Sequence, residues 1–133
     1  MITVIGIIAI VTAIAIPNLY SFSAGMRLRS ATRDLYSNMQ KARINAIRQS
    51  TTMTINIMTD GKGSYILNNG TIVNIASAYP GVALAGQTFL YKNQAAAVFF
   101  SDGTSNGGTV TFKGATGQQA TVTVLASGKI TSS

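Results

Sequence analysis

Met1 to Ile16, MITVIGIIAIVTAIAI, constrains this chain more than any other stretch. Thirteen of its 16 residues are apolar, the other three are Thr3, Gly6 and Thr12, and none is charged. A helix apolar on every side has no stable place on the surface of a water-soluble domain; it needs lipid or other apolar helices around it. The many β-branched residues mildly disfavour helix in water, but without water the backbone must satisfy its own hydrogen bonds, which a single segment can do only as a helix. Sixteen helical residues cover about 24 Å, against a hydrocarbon core of about 30 Å that usually takes about 20 residues. The segment is therefore about one turn short of a span. A cleaved signal peptide fits poorly, because no Lys or Arg precedes Arg27 and Ile16-Pro17 is not a small-residue cleavage site. A plain membrane anchor explains the apolarity and nothing further.

Pro17 lacks an amide hydrogen and clashes with the carbonyl four residues back, so it either kinks a continuing helix or ends it. Beyond it the helical pattern resumes with a different character. At 100° per residue, Leu28, Ala31, Leu35, Met39, Ala42 and Ala46 fall within an arc of about 80°, the mark of a helix lying on a core. Arg27, Arg29, Arg33, Lys41, Arg43 and Arg48 take the remaining arc. Leu19, Phe22, Met26, Tyr36, Ile44 and Ile47 form a second apolar cluster about 100° wide, interleaved with the arginines. Either these are scattered surface residues, or the second face packs on neighbouring helices.

After Gln49-Ser50-Thr51 the period turns to two. Thr51–Thr59 alternates with Met53, Ile55 and Ile57 on one face, the pattern of a half-buried strand. Asp60-Gly61-Lys62-Gly63 is a turn, Ser64–Leu67 a second strand, and Asn68-Asn69-Gly70 another turn before a strand over Thr71–Ile75. Asn69-Gly70-Thr71 is also a formal glycosylation sequon, better explained by its turn chemistry. Residues 76–97 read as a loop with one or two short strands. Ala97–Phe100, Thr109–Phe112 and Gln119–Leu125 read as strands, with a last turn at Ser127-Gly128 leading into Lys129-Ile130. A long helix followed by strands and tight turns predicts an α+β fold with an antiparallel sheet on the helix's apolar stripe. Residues 1–24 would be the membrane or filament-core half of the helix. Residues 25–133 would be a globular head, with the amphipathic helix over 25–49 and the sheet over 51–131.

The composition leaves little for catalysis. With no Cys, no His and only Asp34, Asp60 and Asp102 as carboxylates, the chain lacks material for acid/base chemistry or a transition-metal site. An enzyme is not expected, and no cofactor or metal is assigned.

GIIAIVTAIAIPNLYSF, from Gly6 to Phe22, resembles the N-terminal helix of type IV pilins and of the pseudopilins of type II secretion. In that family such an apolar run follows a processing site and a segment ending in Phe-Thr-Leu-Ile-Glu. Superposing the prolines places Met1 just after that glutamate, so about five further residues are expected upstream; this sequence itself contains no Glu. Phe100, Asp102-Gly103-Thr104, the TVTF and TVTVL strands, Gly128-Lys129-Ile130 and the helical stretch Lys41–Arg48 resemble the GspH/FimT branch. The resemblance implies the pilin fold and a subunit of a helical filament, packed through Ile5, Ile8, Val11, Ile14, Pro17, Leu19, Phe22 and Met26. The implied setting is the inner membrane before assembly and a periplasmic or cell-surface filament afterwards. The implied partners are identical copies, inner-membrane lipid and the pilus or secretion assembly machinery. Many pilins close their C-terminal region with a disulfide, which this Cys-free chain must replace with packing and hydrogen bonds.

The net charge of +7 keeps further partners open. The six cations between Arg27 and Arg48 could meet anionic headgroups, pair with carboxylates or backbone carbonyls of filament neighbours, or hold DNA phosphates; a solvated or interface-lining face is the favoured account of them. Some FimT-like proteins bind DNA through basic residues near the C-terminus, where this chain offers Lys129. A low-copy tip or DNA-uptake pilin is thus one alternative to a main filament subunit. A monomeric membrane-tethered binding domain is the other.

Overall fold

The computed structural model describes residues 2–133, with the side chains of residues 15–18 outside the described set. Helix α1, Ile2–Arg48, is 47 residues long, about 70 Å of continuous rod. The kink expected at Pro17 falls on residues 15–18, outside the described side chains. After α1 the chain forms β1 (Met53–Ile57), β2 (Ser64–Ile66), β3 (Ile72–Asn74), the short helix α2 (Ile75–Ala78) and β4 (Ala83–Gln87). It then forms β5 (Ala96–Phe99), β6 (Gly108–Lys113), β7 (Gln119–Val124) and β8 (Ile130–Ser132).

The strands divide into two antiparallel sheets where one was expected. The first has the order β3-β2-β1-β5 and the second β4-β6-β7-β8. The hairpins follow local turn chemistry, but two pairings are non-local. β5 lies beside β1, with Met53 opposite Phe99, and β4 crosses to β6, with Ala83 opposite Lys113. A bridge between Phe99 and Ser105 links the two sheets at their seam. Ile75, expected to end a strand, instead opens α2: the Asn74 side chain accepts a hydrogen bond from the Ser77 amide at 3.1 Å, an N-cap that turns the chain out of the sheet.

Both sheets press on the second half of α1, which touches β1 and β5 of the first and β6, β7 and β8 of the second. Leu28, Leu35 and Met39 fill the space between them together with Ile55, Phe99, Phe112 and Val122, all at most 3 % exposed. Ala31 and Ala46 are fully buried, and their small side chains let the sheets come close to the helix backbone. Ala42 is half-buried against the same core. Burial of this apolar surface, at about 25 cal/mol per Å², is what fastens the rod to the sheets.

Candidate assembly interface

Among the described residues, Ile2 to Ile14 of α1 are all exposed. Ile5 is 68 % exposed, Ile8 58 %, Val11 60 % and Ile14 71 %. The helix is long and apolar enough to cross a membrane, with its most apolar window entirely unburied. Leu19, Phe22 and Met26 continue this bare surface toward the sheets, and Ile44 and Ile47 remain about half exposed beside them. Tyr36 departs from the sequence expectation. It lies at the edge of the second apolar face and packs partly on the core, its hydroxyl accepting a hydrogen bond from Gln40 Nε2 at 3.1 Å. Two buried positions escaped the sequence reading. Ala24 is buried one turn before the expected start of the stripe, and Thr32 is buried because its hydroxyl bonds the Leu28 carbonyl at 2.8 Å, hiding its polarity within its own helix.

The cations divide by bearing. Arg43 lies next to the buried stripe, is half-buried, and donates through Nε to the Gly103 carbonyl at 3.0 Å. Arg27 is exposed, and one of its guanidinium nitrogens donates to the Pro80 carbonyl at 3.4 Å. Arg29, Arg33, Lys41, Arg48 and Lys129 are exposed. Lys129 is isolated in sequence, but the fold brings its turn to Arg43, whose Nε would lie 2.9 Å from a Cβ at Gly128.

The three aspartates each accept a hydrogen bond from within the chain. Asp34 accepts a short hydrogen bond from the Tyr79 hydroxyl, which pushes the Tyr79 pKa up to about 12. Asp60 accepts from the Lys62 amide at 2.9 Å. Asp102 accepts from both the hydroxyl and the amide of Thr104, which hold its carboxyl below the usual aspartate range. Inside the fold, burial raises the Tyr65 pKa against the opposing effect of its bond from Asn38. Among the described residues no group of three or more His, Cys, Asp or Glu comes together to hold a metal ion. Beside Arg29 and Arg33, an open groove of about 1060 Å³ separates α1 from Gln118 and from Ser132 and Ser133 at the chain end.

This arrangement presents a long apolar rod, bare at its start, and a mixed apolar and basic face where the rod joins the sheets. Residues 31–128 match the family described as "Type II transport protein GspH". No curated protein matches the chain. Among solved structures, the type IV minor pilin FimU of Pseudomonas aeruginosa is 18 % identical. It has a TM-score of 0.60, over 83 % of this chain and 90 % of that one. The minor pseudopilin EpsH from the type 2 secretion system of Vibrio cholerae is 12 % identical, with a TM-score of 0.63 over 80 % of this chain and 96 % of that one.

Proposed function

The chain belongs to the GspH family of type II transport proteins, and from that premise we propose that it is a subunit of a pilus or pseudopilus filament, built in by burying α1 among other helices. One observation carries the reading. Among the described residues, twelve large apolar side chains between Ile2 and Met26 are 56–88 % exposed, although the same helix buries Leu28 and Ala31 against the sheets within the next two turns. A lone tether needs apolarity only across the bilayer. Here the bare surface continues past it through Leu19, Phe22 and Met26 and reappears at Ile44 and Ile47, beside the folded sheets.

Before assembly the first half of α1 sits in the inner membrane, where lipid already covers its apolar surface. Transfer out of water therefore contributes little to polymerisation, which depends on close helix packing and on the assembly machinery. The test uses the full chain in cells running that machinery, with sheared filaments recovered and probed for this subunit. Phe22→Asp or Leu19→Asp should remove the chain from filaments at an unchanged membrane level. Undiminished recovery of both variants, or a wild-type chain that stays single in the membrane while filaments form, overturns the reading.

The charge favours a second form of it, in which the chain is a low-copy member of a mixed filament. Six cations and one carboxylate lie between Arg27 and Arg48, so a filament core built of this chain alone would bring like charges together.

A further inference from the structure

We propose that the face of α1 bearing Phe22, Met26, Arg29, Arg33, Ile44 and Ile47 docks on an apolar helix of a different chain, one that carries carboxylates about one turn apart. The inference rests on the filament reading above and specifies the chemistry of the neighbour.

The apolar members of this face are 47–65 % exposed. Arg29 and Arg33 are four residues apart and so share one side of the helix, on the bearing of Phe22 and Met26. Neither has a hydrogen-bond or ion-pair partner among the described residues. A neighbour that covered Met26 and Phe22 would also strip water from these two guanidinium groups, which is costly unless carboxylates meet them. Carboxylates at the same one-turn spacing would do so, each in the forked geometry that suits arginine.

A second copy of this chain cannot supply them. Its one carboxylate on the helix, Asp34, is held by Tyr79, while Asp60 and Asp102 are single carboxylates in separate turns, held by the Lys62 amide and by Thr104, so no two stand one helical turn apart. Lipid headgroups do not match the length of the mixed face. From Arg29 to Ile47 the face runs 18 residues, about 27 Å, against a headgroup layer of about 5–8 Å on each side of a bilayer. A nucleic acid matches the length but has no use for half-exposed Met26, Ile44 and Ile47, since its affinity comes from phosphate contacts.

The test places the full chain in phosphatidylcholine nanodiscs. The probe is a synthetic amphipathic helix with Glu at i and i+4 beside its apolar face, together with its Gln and Lys twins. The Glu probe should bind at least tenfold tighter than the Gln probe. Arg29→Glu with Arg33→Glu should abolish that preference and transfer it to the Lys probe, whereas Arg29→Lys with Arg33→Lys should keep it within about threefold. Both double variants should melt with the wild type, because the two arginines are exposed. Equal binding of the Glu and Gln probes overturns the inference. So does tighter binding to duplex DNA or to phosphatidylglycerol vesicles that the double Glu variant loses. The chain has no cysteine, so Met26→Cys gives a clean cross-link, and a disulfide-linked homodimer from assembled filaments would overturn the acidic neighbour while leaving the filament reading standing. Undiminished recovery of both Phe22→Asp and Leu19→Asp in filaments would sink the filament reading itself.

Discussion

A single methyl group at Gly128 tests what closes the C-terminal end of a chain without cysteine. Gly128 has φ +80° in the turn between β7 and β8, and a Cβ there would stand 1.9 Å from the Gly103 carbonyl oxygen and 2.9 Å from Arg43 Nε. Carbon and oxygen settle at about 3.3 Å even in close contacts, so the turn and the Gly103 loop must part by more than about 1 Å. That carbonyl is the acceptor of the 3.0 Å bond from Arg43, which cannot survive the movement. Left-handed backbone strain costs about 1 kcal/mol, and losing a half-buried hydrogen bond from a charged donor about 1.5–3 kcal/mol. Gly128→Ala should therefore destabilise the fold by about 3–4 kcal/mol, a large share of a typical 5–15 kcal/mol. For a chain of this size that lowers Tm by about 10–15 °C. Gly117→Ala is the control: Gly117 has φ +84° with nothing within 4 Å of its Cβ, so only the strain of about 1 kcal/mol applies. Thermal unfolding of the full chain in detergent, followed through the near-ultraviolet tyrosine signal, reads both. If Gly128→Ala melts within about 3 °C of Gly117→Ala, the contact does not close the fold. If the gap between them survives in an Arg43→Met background, the penalty does not run through Arg43.

Two further predictions concern side chains that stitch the loops to the sheets. Asn106 accepts from the Val98 amide at 2.9 Å and donates to the carbonyls of Ala96 at 2.9 Å and Leu90 at 3.3 Å. Asn106→Ala leaves polar groups of buried β5 unsatisfied and should cost about 2–3 kcal/mol in urea unfolding; a cost under about 0.5 kcal/mol would show that water replaces the side chain. Tyr79 is neutral while it donates to Asp34, so its contribution is fully present below its unfolded pKa of about 10 and is lost as pH rises from there to about 12. Tyr79→Phe should cost about 1 kcal/mol or less at pH 7, because the pair is solvent-exposed, and the difference between wild type and variant should shrink across pH 10–12. A difference that holds at pH 12 would show that the hydroxyl bond is not its source.

The parts of the fold legible in the sequence are those fixed by local period. The apolar stripe from Leu28 to Ala46, the alternation of Met53, Ile55 and Ile57, and the TVTF and TVTVL strands each carry their own repeat, because one buried face imposes it. One feature was not legible, and a second carried a signal that the strand pattern masked. The split into two sheets depends on pairing β1 with β5 and β4 with β6, contacts more than 20 residues apart in sequence that no turn residue announces. The strand expected through Ile75 gave way to a cap by Asn74, and an asparagine before an alanine-rich run was a signal open to reading. At the candidate interface, bearing along the helix separated buried from exposed residues. It did not reveal which cations the chain's own loops would engage, since Gly103 and Pro80 reach Arg43 and Arg27 only through tertiary structure.

On the filament reading, what the sheets give the rod is a fixed rotation. Lipid and neighbouring helices are equally apolar, so assembly gains from close packing, and close packing depends on which side chains face outward. Leu28, Leu35 and Met39 are locked between two sheets, and each residue of slip along the stripe would turn α1 by about 100°. Such a slip would bring Arg29 to the buried bearing of Leu28 and expose the core residues. Two contacts reinforce the setting near the point where the helix leaves the sheets, the Tyr79 hydroxyl on Asp34 and Arg27 on the Pro80 carbonyl. Because Met26 and Ile44 are 18 residues apart, five full turns, they share one bearing, so the rotation that buries Leu35 also aims both at the same neighbour.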